Sequence, residues 1–249
     1  MQPIPNPPPT AGAEHALIDA GYARLQGVET FAALGATGDA EGWTDAWDAF
    51  AASWNDLGQD LFMADGGRYR RRRFATFRVV DGVASRKAHQ PHFQSRDYNQ
   101  LNGGVQRWFE PVNEAVADGP VLRAIFTRCA AAFTAASGRP ARQPWHVEVH
   151  QFRIEASPDV AGQPTPEGLH RDGVDWVFVM LVARRNVAEG VTEIGAADGR
   201  RLGRFTLTEP GDAIFLDDRR VRHGVTPITP IDPTQPGHRD ALVVTFRAE

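Results

Sequence analysis

The stretch His170-Arg171-Asp172-Gly173-Val174-Asp175-Trp176-Val177-Phe178-Val179-Met180-Leu181-Val182-Ala183 runs a metal-ligand pattern into a buried strand. Val174 to Ala183 is a nearly continuous apolar run, typical of a strand covered on both faces. Residues i and i+2 of a strand share a face, so His170 and Asp172 point at one spot if the strand is already extended there. A second histidine, His223, arrives with a later strand. Two imidazoles and one carboxylate on one side of a metal leave positions open, which suits non-haem Fe(II). The same short H-x-[DE] pattern recurs at His146-x-Glu148 and His238-x-Asp240, so context has to choose.

Around this stretch the chain reads as strand after strand. Trp145 to Ile154 precedes it. Val191 to Ile194, Gly203 to Thr208, Ala213 to Leu216, Gly224 to Ile228 and Ala241 to Phe246 follow, with turns at Asp198-Gly199 and Pro210-Gly211-Asp212. Short strands with regular turn signals predict a sandwich or jelly roll. Further upstream the pattern is helical from Glu14 to about Phe62. Leu17, Ala20, Tyr22 and Leu25 form one stripe, and Trp43, Trp47, Phe50, Ala51 and Trp54 another, which predicts core packing rather than a cofactor cage. Asp39 ahead of Glu41 predicts a helix start. From Tyr69 the period is two, and Asp81-Gly82 predicts a two-residue hairpin. His89 to Pro111 has no clean period, and a loop of that length is usually a lid or binding loop. Val121 to Ala136 reads as one helix, ended by Gly138 and Pro140.

The 249 residues suffice for one sizeable core, and 42% apolar with 23% charged residues is ordinary for a globular protein. A net charge of −4 gives the whole molecule no attraction for nucleic acid or anionic membrane. Strand alternation also splits Arg70-Arg71-Arg72-Arg73 onto two faces, which argues against a nucleic-acid patch and leaves an inward arginine able to hold a substrate carboxylate. The single cysteine, Cys129, excludes an internal disulfide and is expected as buried packing. Met1 to Thr10 holds five prolines and no secretory pattern, and no apolar run is long enough for a membrane helix. A cytoplasmic location is the expectation. Six tryptophans and 14 phenylalanines leave room for a homodimer surface but fill cores equally well.

Among the motifs, His170 and Asp172 sit where a Pro/Gly-rich loop enters the buried strand, a place both rigid and reachable. His238-x-Asp240 has no histidine after it. His146, Glu148 and His150 form a rival cluster on one strand face, against which stands the commoner solvent-facing role of alternating polar residues. Oxygen activation at such an iron needs two further electrons, which a 2-oxo acid supplies by oxidative decarboxylation. The distal carboxylate of that acid needs a rigid cationic fork. Arg239, opening the last strand, is the candidate, with Arg247 in reserve.

These residues resemble the bacterial 2-oxoglutarate/Fe(II) dioxygenases that include free L-isoleucine hydroxylases and BsmA-like proteins linked to biofilm and stress. The likeness runs from about Arg70 to Arg247. It rests on Arg71-Arg72-Arg73-Phe74, Phe93-Gln94-Ser95-Arg96-Asp97-Tyr98-Asn99, Asn102-Gly103-Gly104-Val105 and Val147-Glu148-Val149-His150-Gln151-Phe152-Arg153. It continues through Pro164-Thr165-Pro166-Glu167-Gly168-Leu169-His170-Arg171-Asp172-Gly173, His223-Gly224-Val225-Thr226-Pro227-Ile228 and Arg239-Asp240-Ala241-Leu242-Val243.

The resemblance implies an α+β, mainly β fold: a double-stranded β-helix (cupin-like jelly roll) with N-terminal and flanking helices. It implies Fe(II) on His170, Asp172 and His223, 2-oxoglutarate on Arg239 with Gln151 also facing the cofactor, and O2 as oxidant. His146, Glu148 and His150 then become supporting or cosubstrate-lining positions. The expected organisation is a disordered arm over 1–13 and one dioxygenase domain over 14–249, helical over 14–62 and jelly roll from about 69. The expected activity is hydroxylation of a free amino acid or similar small polar metabolite with release of succinate and CO2. His92, Tyr98 and Asn99 in the long loop are the candidate substrate contacts. Two alternatives are a cupin-like metalloenzyme without 2-oxoglutarate and a non-catalytic biofilm or stress protein retaining the fold.

Overall fold

Hydrophobic alternation along the strands builds two walls, and helices cover the outside of one of them. The computed structural model describes residues 11–35, 40–140 and 142–249, so the Met1 to Thr10 arm and the Asp39 helix start lie outside the described residues. The elements in chain order are α1 (Ala11–Ala20), β1 (Tyr22–Leu25), α2 (Gly27–Ala33), α3 (Ala40–Ala52), a 3-10 turn (Ser53–Asp56), β2 (Arg70–Val80) and β3 (Val83–Arg86). Then come α4 (Glu114–Ala117), α5 (Pro120–Ser137), β4 (Trp145–Ala156), β5 (Trp176–Arg185), β6 (Val187–Glu189) and β7 (Val191–Ala196). The last are β8 (Arg201–Thr206), β9 (Ala213–Asp217), β10 (Val221–Val225), β11 (Ile228–Pro230) and β12 (Gly237–Ala248).

The larger wall is a seven-stranded sheet in the order β1-β9-β5-β12-β4-β2-β3, and the smaller wall is β10-β7-β8 with the β11-β6 pair beside it. All pairings between these strands are antiparallel. This is the expected jelly roll. Period-two alternation sends Trp145, Val147 and Val149 of β4 and Trp176, Phe178 and Met180 of β5 to the helical side, where they join Phe126 and Phe133 of α5 in the main core. Phe133 stacks on Trp176 with centroids 5.2 Å apart. Each such side chain contributes about 1.5–3 kcal/mol by burial. Trp54 and Phe50 of the tryptophan stripe are in the same core, as expected. Cys129 is there too, and burial pushes its thiol well up, so it packs rather than reacts.

Several boundaries differ from the sequence expectation. Helix α1 begins at Ala11, inside the expected arm. Tyr22 and Leu25 do not continue it: Gly21, at φ +79°, breaks the helix, and Tyr22–Leu25 becomes β1 paired with β9. A regular strand through His170 is also absent. His170 makes one isolated bridge to His223, and β5 starts only at Trp176. The Gly224 to Ile228 strand is two strands, β10 and β11, so His223 lies in mid-strand rather than at the start of one. The Asp81-Gly82 hairpin is present, with both residues at positive φ (50° and 77°), as a type I′ turn requires. No helix of the described residues is long and apolar enough to cross a membrane.

Candidate active site

Between the two walls lies a cavity of about 340 Å³. Its metal-ligand end is assembled by backbone pairing: His170 and His223 exchange both N–H···O bonds (3.0 and 2.9 Å), which sets their rings side by side, centroids 4.6 Å apart. His170 Nδ1 lies 3.0 Å from the Gly168 carbonyl, which fixes the proton there and frees Nε2. That Nε2 is 3.5 Å from Asp172 Oδ1, and His223 Nε2 is 3.6 Å from Asp172 Oδ2. The donor atoms of all three residues lie within 4.8 Å of one another.

Asp172 is held without a strand. Asp218, buried, accepts N–H bonds from Asp172 (2.9 Å), Gly173 (2.8 Å) and Val174 (3.1 Å), so one carboxylate clamps the whole entry to β5. Burial opposes ionisation of Asp172, but the two histidines outweigh it and hold its carboxyl below the usual range. Burial and then the neighbouring His170 keep His223 at about 4, so it is neutral and able to ligate.

Strand register explains the rest of the lining. Across β2, β4 and β12 the cavity-facing rows are Arg70–Ile154–Arg239, Arg72–Phe152–Ala241, Phe74–His150–Val243 and Thr76–Glu148–Thr245. Arg239 is 3% exposed, and its Nε and Nη2 have no hydrogen-bond partner. Burial, then the adjacent Arg184, lowers it to about 10. A buried guanidinium with unused donors fits a carboxylate ligand such as the distal end of 2-oxoglutarate. The His/Asp/His donor set likewise fits Fe(II).

A second cluster stands across the cavity. Glu148 gathers His92 Nδ1 (3.0 Å), His150 Nε2 (3.5 Å) and His146 Nε2 (3.5 Å). Arg72, sandwiched between Phe109 and Phe152, places Nη2 2.6 Å from His150 Nδ1. A guanidinium can only donate, so His150 Nδ1 accepts and its proton sits on Nε2, facing Glu148. The nitrogens around Glu148 therefore donate hydrogen bonds to it, which disfavours a metal there although His92, Glu148 and His150 are close enough for one. The β4 polar face looks inward rather than to solvent. Arg70 and Arg72 also point in, sharing buried Asp60 at 2.7 and 3.8 Å.

The structure brings His170, Asp172, His223 and Arg239 into one cavity, together with His92, Tyr98 and Asn99 of the long loop. It does not bring Gln151 there. His150 faces inward, so its neighbour on β4 faces the helices, where Gln151 Nε2 donates to Ser53 Oγ at 2.8 Å; the expected cofactor contact is corrected. Arg247 lies on the cavity side but at the opposite end of β12 from Arg239 and is exposed. His238-x-Asp240 is elsewhere, with Asp240 bound by Arg153 at 2.8 and 2.7 Å. Asp175 serves elsewhere, accepting from Ala248 N at 2.8 Å and lying 3.7 Å from Arg219 Nη1. Sequence reasoning missed Arg107, Glu167 and Asp218 as site residues. Only Glu167, inside the Pro-Glu-Gly-x-His string, carried a signal.

Residues 51–245 match the family described as 2OG-Fe dioxygenase, and the chain belongs to it. This is a family whose chemistry joins Fe(II), 2-oxoglutarate and O2. Among solved structures, a BsmA homolog from Methylobium petroleophilum PM1 is 35% identical with a TM-score of 0.85, covering 98% of this chain and 95% of that one. IDO from Bacillus thuringiensis shares the fold at 18% identity and TM-score 0.78, covering 95% and 98%. The chain is also similar to L-isoleucine-4-hydroxylase of Bacillus thuringiensis, 28% identical over 156 residues. That match spans 62% of this chain and 64% of the relative, under two thirds of its length.

Proposed function

We propose that the protein is an Fe(II)- and 2-oxoglutarate-dependent dioxygenase that hydroxylates a free amino acid or similar small polar metabolite, releasing succinate and CO2. The observation that carries this is the convergence of His170, Asp172 and His223 in the same cavity as the unpaired, buried Arg239. His170, Asp172 and His223 would hold the iron, and Arg239 would take the distal carboxylate of 2-oxoglutarate. Iron and cosubstrate supply, when bound, an oxidant able to take hydrogen from an unactivated carbon. The chain's own part is placement and dryness. Val179, Ala241 and Val243 give the cavity an apolar floor, and the Gln94 side chain donates to the Asp172 carbonyl at 3.0 Å, tying the long loop to the metal end. The likeness to a free-amino-acid hydroxylase supports the substrate class.

The test is anaerobic titration of the Fe(II)-loaded protein with 2-oxoglutarate, following the visible charge-transfer band of the chelate. A saturable band is expected, lost in Asp172→Ala and shifted to much weaker affinity in Arg239→Ala. Iron binding without the band would instead favour a cupin-like enzyme, and no metal binding a non-catalytic scaffold.

A further inference from the structure

Resting on that function, we propose that Arg107 and Glu167 hold the two charged groups of an α-amino acid substrate, the guanidinium its carboxylate and the carboxylate its ammonium. Both side chains line the cavity that contains His170, Asp172 and His223. Arg107 is 2% exposed, its Nε has no partner, and among the described residues no carboxylate lies within 4.0 Å of it. Its backbone is paired in both directions with His92 (3.0 and 2.9 Å), so the long loop cannot swing it away without breaking that pair. Glu167 Oε2 is buried without a partner, while Oε1 has only Asn99 Nδ2 at 3.4 Å and His170 Nε2 at 3.8 Å.

Arg107 Nε and Glu167 Oε2 are buried atoms with no hydrogen-bond partner, so each group calls for a ligand of opposite sign. A zwitterion satisfies both and adds no net charge. A dicarboxylate would leave Glu167 opposed, and a simple amine would leave Arg107 unmatched. Of the other charged groups here, Arg239 is assigned to 2-oxoglutarate, and the remaining inward arginines and Glu148 have partners. Asp60 serves Arg70 and Arg72, and Glu148 is surrounded by three imidazoles. Glu167 stands close to His170, so a substrate tethered there keeps its aliphatic carbons near the metal position.

Calorimetric titration of the anaerobic Fe(II)/2-oxoglutarate holoenzyme with the proteinogenic α-amino acids identifies the tightest binder. That amino acid is then compared with its N-acetyl and carboxamide derivatives. Each derivative is expected to bind at least about 30-fold more weakly, the loss of one charge-assisted contact. Glu167→Gln should weaken the amino acid similarly yet bind the N-acetyl derivative no worse than the parent protein. Arg107→Met should do the same with the carboxamide, and neither should change 2-oxoglutarate affinity. Equal binding of both derivatives by the parent protein overturns the proposal even if the variants fail to fold. So does unchanged affinity in both variants, or a loss confined to Glu148→Gln; the hydroxylase function survives these outcomes. Absence of any amino acid binding in a holoenzyme that shows the chelate band overturns the proposal and the amino acid substrate, and leaves the dioxygenase class standing.

Discussion

Asp218 spends both carboxylate oxygens on the backbone N–H groups of three consecutive residues, the first of which is the carboxylate of the candidate metal set. Asp218→Asn puts an amide N–H₂ where an acceptor is needed, leaving one or more of those buried donors unsatisfied at about 1–3 kcal/mol each. Fe(II) affinity is expected to fall by about 10–100-fold, as for other groups that orient metal ligands. Competitive chelator titration measures that, and an unchanged Fe(II) affinity with a lowered Tm would make Asp218 merely structural. At this scale the convergence of His170, Asp172, His223 and Arg239 on one cavity was legible because residue type and local motif coincide. The positions of Asp218 and Arg107 were not, since they depend on where loops return. Gln151 was misplaced although period two alone forbids it from sharing a face with His150.

Among the elements, β2 was read well: its four arginines do alternate, two to the cavity and two outward. The turn that ends it was equally legible, because few residues tolerate positive φ at two successive positions. Gly82 has a second constraint that no local pattern reveals. A Cβ there would meet Thr127 Cα of α5 at 2.7 Å. Gly82→Ala is therefore expected to destabilise the protein by roughly 1–3 kcal/mol through strain and displacement of α5. Urea denaturation would show it, with kinetic constants unchanged because the hairpin lies away from the cavity. The N-terminal stripe was misread at β1 for the converse reason. Tyr22 to Leu25 fits either period, and the decision came from the edge of β9, a partner remote in sequence.

For the molecule as a whole, strand content and the jelly roll could be read from turn signals and resemblance, but sheet order could not, since pairing across long separations leaves no local trace. The order has a consequence for assembly. β12 lies between β4 and β5 and pairs with both along most of its length. It is also the last of the described strands in chain order. Until it arrives, β4 and β5 present bare, hydrogen-bonding edges to each other across a gap that only this segment fills. Closing such a gap is non-local and therefore slow. A chain stopped at Pro236 is expected to show no cooperative thermal transition, and a sharp transition in that truncation would refute this. The nascent protein thus carries every candidate metal ligand well before it has a sheet to hold them, and the strand that brings Arg239 is the one that locks the architecture shut.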